Sequence, residues 1–81
     1  MENDGDYEAL TPYVRVNILC LMKKHDITQA MLAEWCDISL ATLKRYMAPS
    51  QVYSRAVHLG RIAKVLRVTV SYLQEPHKKS P

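Results

Sequence analysis

Residues Thr28–Met47 read TQAMLAEWCDISLATLKRYM, and the periodicity of this stretch decides the fold. Apolar residues recur at helical spacing through Leu32, Ala33 and Cys36, and again through Leu43, Tyr46 and Met47. Between the two runs stands Asp37-Ile38-Ser39, a poor helix interior because Asp and Ser side chains compete for backbone hydrogen bonds. The spacing therefore predicts two helices joined by a three-residue turn, with Thr28 and Ser39 placed to cap them. Ala33 is small where the helices cross, Ile38 and Leu43 bury between them, and Asp37 takes the turn position that leaves right-handed geometry. Such a helix-turn-helix can present the polar face of its second helix to a major groove.

Working outward, Thr11 as N-cap and Pro12 at the first helical position open a first helix. It carries Val14, Ile18, Leu21 and Met22 and ends near Lys23, Lys24 and His25. Asp26-Ile27 is a short connection. Downstream, Pro49-Ser50-Gln51 begins a loop. Ser54 is placed to cap a fourth helix carrying Leu59, Ile62, Ala63 and Leu66. Thr69 is placed to cap a fifth, with Val70 and Leu73 inward, before Pro76 stops it. The expected class is all-α: a compact domain of five short helices over residues 11–76, without a sheet. A flexible acidic tail over residues 1–10 precedes it and a frayed basic tail over 77–81 follows.

Composition agrees with one small helical domain. The 81 residues are 48% hydrophobic, enough for one modest core, and contain only two glycines and four prolines. Charge is uneven. Glu2, Asp4, Asp6 and Glu8 hold four of the eight acids, whereas from Pro12 onward eleven Lys/Arg face four Asp/Glu, a balance of +7. A basic domain behind an acidic tail suits a polyanionic partner, although a solvated basic face gives the same count.

Other classes find little support. Cys20 and Cys36 are too far apart for a thioredoxin-type pair and lack the second pair of a zinc site, so both read as buried reduced thiols. His25, His58 and His77 adjoin no nucleophile motif, so neither catalysis nor a metal or other cofactor is expected. No apolar run approaches the ~18 residues of a membrane span and no signal peptide is apparent, so a cytoplasmic location is expected. Trp35 at the edge of the second helix and Tyr46 in the core read as packing residues rather than base-stacking platforms.

Thr28-Gln29, Ala33, Asp37 and Leu43 resemble the pattern of the lambda-repressor/Cro-like (xenobiotic-response-element) helix-turn-helix family. The likeness continues through AVHLGRIAKVLRVTVSYL, Ala56–Leu73, which is similar to the family's fourth and fifth helices. It spans roughly Val14 to Leu73. Asp37 departs from the usual turn glycine, Arg67 stands at a helix end where glycine is common, and Leu40 and Ala41 replace frequent Gln, Arg or Ser.

The resemblance implies that the recognition helix reads base edges through Leu40, Ala41, Lys44 and Arg45. Arg45 suits guanine O6 and N7, Lys44 a guanine or a phosphate, and Leu40 and Ala41 thymine methyls. Gln29 would bond a phosphate or brace a recognition side chain. Thr28 and Ser39 lie at helix N-termini that favour phosphate oxygens, with Thr42 on the same face. Ser50, Gln51, Tyr53 and Arg55 in the following loop would meet the backbone at a half-site edge.

The expected function is a sequence-specific double-stranded DNA-binding regulator, a nucleoid-associated repressor acting as a homodimer on a palindromic operator. Val70, Tyr72 and Leu73, or the loop before helix four, would form the dimer. The rival is an antitoxin-like or accessory protein-interaction module that meets a protein partner through the acidic tail.

Overall fold

A computed structural model describes residues 7–76. In chain order these form β1 (Tyr7–Ala9), α1 (Tyr13–His25), α2 (Gln29–Cys36), α3 (Leu40–Tyr46), β2 (Tyr53–Arg55), α4 (Ala56–Val65) and α5 (Val70–Gln74). Three helices start on a side-chain oxygen that accepts a first-turn N–H. Thr28 takes the N–H of Met31 at 3.1 Å, Ser39 that of Thr42 at 3.0 Å, and Thr69 that of Tyr72 at 3.0 Å.

The helix ends follow a common rule. Asp26, Asp37 and Arg67 adopt left-handed geometry with φ of 59°, 59° and 63°. In each case the next residue donates its N–H back into the helix: Ile27 to Met22 at 2.8 Å, Ile38 to Ala33 at 3.1 Å, Val68 to Ala63 at 2.9 Å. These are Schellman closures, and Ile27, Ile38 and Val68 pack against the core as such closures favour. Gly60, by contrast, lies inside α4.

Every helix sends at least one fully enclosed side chain into a single core: Ile18, Leu32, Leu43, Leu59, Ile62 and Leu73, with Leu66 at the end of α4. Asn17 is also buried, and its Nδ2 donates to the carbonyls of Glu75 at 2.7 Å and Leu73 at 2.9 Å. It thereby ties α1 to the end of α5, satisfying carbonyls that a helix terminus leaves open.

The fold is largely helical but not all-α. β1 and β2 form a two-stranded antiparallel sheet in the register Tyr7↔Arg55, Glu8↔Ser54 and Ala9↔Tyr53. The Leu10 N–H extends the ladder to the Val52 carbonyl at 2.8 Å. Three-residue strands are too short to show a period of two, so the sequence pattern gave no sign of them. Tyr7–Ala9 thus leave the expected flexible tail, and Tyr53 leaves the expected loop. Glu2, Asp4 and Asp6, with the tail at 77–81, lie outside the described residues.

Two expected caps, Ser54 and Thr11, bond elsewhere. Ser54 sits buried within β2, its Oγ donating to the Arg55 carbonyl at 3.1 Å, and α4 starts from Arg55 without a side-chain cap. Thr11 instead donates its hydroxyl to the Gln74 carbonyl at 2.7 Å and its N–H to Gln74 Oε1 at 2.8 Å, leaving Pro12 to precede α1. Gln74 Nε2 donates in turn to the Ala9 carbonyl at 2.7 Å. The end of α5 therefore anchors the β1–α1 connection. Cys20, expected to be buried, is exposed, while Cys36 is enclosed. Among the described residues no helix is long and apolar enough to cross a membrane.

Candidate nucleic-acid interface

α3 is oriented by its apolar side. Leu43 is fully enclosed and Tyr46 and Met47 are nearly so, so at 100° per residue the outward line of the helix runs through Ala41 and Arg45. Both are exposed, as is Lys44 beside them. Leu40, 38% exposed, lies at the border with the core. Thr42 flanks the other side, half-buried, its Oγ1 accepting from Ser39 Oγ at 2.8 Å.

The Schellman closure at Asp37 sets this face. It ends α2 and redirects the chain within Asp37-Ile38-Ser39, after which Ser39 starts α3. On α4, Arg61 donates from Nη1 to the Cys36 carbonyl at 3.3 Å, in the last turn of α2. Burial pushes the Cys36 thiol up from its ordinary value, with Arg61 opposing that shift.

The remaining expected residues fall into two groups. Thr42, Arg45, Gln51, Tyr53 and Arg55 converge on one cleft of about 240 Å³, which Tyr7, Tyr46, Ser54 and His58 complete. Gln51 Nε2 donates to the Tyr53 carbonyl and so shapes the turn into β2. Thr28 and Gln29 stand apart at the start of α2, and Ser50 is exposed in the loop after α3; the cleft includes none of these three.

Two cleft residues, Tyr7 and His58, escaped the sequence reading. Tyr7 belongs to the unexpected β1. Tyr46 was legible as core, but its hydroxyl lies 2.7 Å from His58 Nδ1 and accepts the Arg55 N–H at 3.5 Å. This bond clamps the end of α3 to α4 and to the end of β2. Burial, followed by the Arg55 and Arg61 guanidiniums, pushes the His58 pKa below its ordinary 6.5. Both causes favour the neutral imidazole. No spacing in the sequence announces a contact twelve residues apart across a strand.

Trp35 is half-exposed, in a groove with His25, Ile27, Val65, Leu66 and Arg67. Of the residues expected to form a dimer, Leu73 is fully enclosed in the core and Val70 is half-buried, leaving Tyr72 exposed. Leu73 is therefore withdrawn from that role. The expected loop before helix four is in part strand β2. Among the described residues no group of three His, Cys, Asp or Glu side chains could hold a metal ion. No protein-family model, curated protein or solved structure matches the chain.

Proposed function

We propose that this chain is a sequence-specific double-stranded DNA-binding regulator, a repressor that reads a palindromic operator as a homodimer. The observation that carries this reading is the outward face of α3. Ala41 and Arg45 run along its centre with Lys44 and Leu40 beside them, behind a turn built to re-aim the helix. Arg45 offers a planar fork for guanine, and Lys44 a point charge for phosphate. Arg55, Gln51 and Tyr53 at the neighbouring cleft supply donors for the DNA backbone, as phosphate contacts fix register without specifying sequence. A cytoplasmic, nucleoid-associated place of action belongs to the same proposal.

A salt titration of duplex binding tests it. Neutralising several phosphates releases counterions, so affinity should fall on the order of tenfold or more between roughly 50 and 200 mM salt. Absence of duplex binding at low salt would reject the proposal and leave the fold as a protein-interaction module.

A further inference from the structure

Among the described residues no element covers the outer side of α1, which carries an apolar face. Tyr13, Val16 and Leu19 are each 40–42% exposed and Cys20 is exposed; Tyr72 of α5, the helix packed on α1, is 44% exposed. Lys23 and Lys24 close one end. The other end belongs to α5. Asn17 holds the Leu73 and Glu75 carbonyls and Thr11 holds Gln74, so Glu75 lies toward the start of α1.

We infer that this face binds the same face of a second copy, through antiparallel packing of α1 on α1 about a twofold axis between Val16 and Cys20. The pattern meets the condition that such an axis imposes, namely that residue i meets j wherever j meets i. On a helix turning about 100° per residue, Val16 and Cys20 lie about 20° on either side of the patch centre, and Tyr13 and Lys23 about 40° on either side. Each pair is also equally spaced along the helix from position 18. A twofold rotation therefore sets Val16 on Cys20 of the second copy and Tyr13 on its Lys23, a cation–π pairing.

Leu19 falls on the side away from its own α5, where the rotation brings Leu19 of the second copy, while Tyr72 of each copy returns on the α5 side. The same operation carries Glu75 of the second copy toward Lys23. The apolar residues cover one another, and the acidic end of one copy meets the basic end of the other. This surface deepens the homodimer reading above and rests on that part of it; because it is measured without DNA, its failure stays distinct from failure of DNA binding.

Crossing the axis, Cys20 and Cys20 of the second copy are offset by about 6 Å along the helices, beyond disulfide reach. Val16 faces Cys20 directly. Under mild oxidation, Val16→Cys should give a disulfide-linked dimer, whereas the wild type and Val16→Cys combined with Cys20→Ser should stay unlinked. In analytical ultracentrifugation the wild type should sediment as a dimer, and Val16→Glu as a monomer with unchanged helical circular dichroism. A wild-type monomer, a Val16→Glu dimer, or a Val16→Cys chain that fails to cross-link would overturn this interface.

Discussion

At the scale of single residues, two side chains set the geometry of the candidate interface. Asp37 holds φ 59° and ψ 43°, a region that an L-residue enters at a cost which glycine avoids. Asp37→Gly should leave stability unchanged or raise it by up to about 1 kcal/mol, since relief of strain offsets the added freedom of the unfolded chain. Asp37→Val should lose more than about 1 kcal/mol, because a β-branched residue fits this region worst. Chemical denaturation of both variants checks the pair; a clear loss for glycine would assign the carboxylate a bond of its own. His58 supplies a pH signature. Its folded pKa is lowered, so the unfolded chain binds the proton more readily, and stability falls as pH drops below 6.5 toward the folded value. His58→Gln should flatten that part of the pH–stability profile, measured by thermal melts.

At the scale of elements, connections that the sequence hid hold the helices in place. Asn17 joins α1 to the end of α5 through hydrogen bonds made in a buried site. Asn17→Leu keeps the branching at Cγ but adds bulk in a buried site and leaves those carbonyls unpaired, so it should cost about 2 kcal/mol or more in denaturant unfolding. The sheet offers a sharper contrast. Leu10 bonds Val52, and antiparallel pairs alternate between bonded and non-bonded, so Glu8↔Ser54 is the next bonded pair and Ala9↔Tyr53 is not. Glu8→Pro removes the N–H that the Ser54 carbonyl accepts and should open the pair, so the Ser54 amide exchanges faster, while Ala9→Pro, whose N–H lies in a non-bonded pair, should do so much less. The helices were legible because each carries an apolar period and three carry a threonine or serine cap. Asp37 was also legible as a turn residue that leaves right-handed geometry, and the resemblance marked Arg67 as a helix end where glycine is common. The strands were not, since three residues have no readable period, and Thr11 and Ser54 look like caps until Gln74 and the sheet claim them.

At the scale of the whole molecule, the proposed function requires that the face of α3 read bases and not merely attract phosphate. The outward set Leu40, Ala41, Lys44 and Arg45 was implied by the family resemblance, and burial of Leu43 and Tyr46 leaves all four exposed, with Leu40 at the border. The cleft that gathers Arg45, Gln51, Tyr53 and Arg55 with Tyr7 and His58 was not, as it depends on β1 returning to β2. Arg45→Lys retains charge but loses the planar fork, so it should cost roughly 1–3 kcal/mol on a specific site and relax one base pair per half-site. Lys44→Gln should weaken all duplexes alike and flatten the salt dependence by about one charge. The most direct test is selection of duplexes from a random pool by the wild-type chain. An inverted repeat among the bound sequences, its half-sites centred about one helical turn apart, is the predicted result; a bound pool as random as the input would contradict sequence reading by α3.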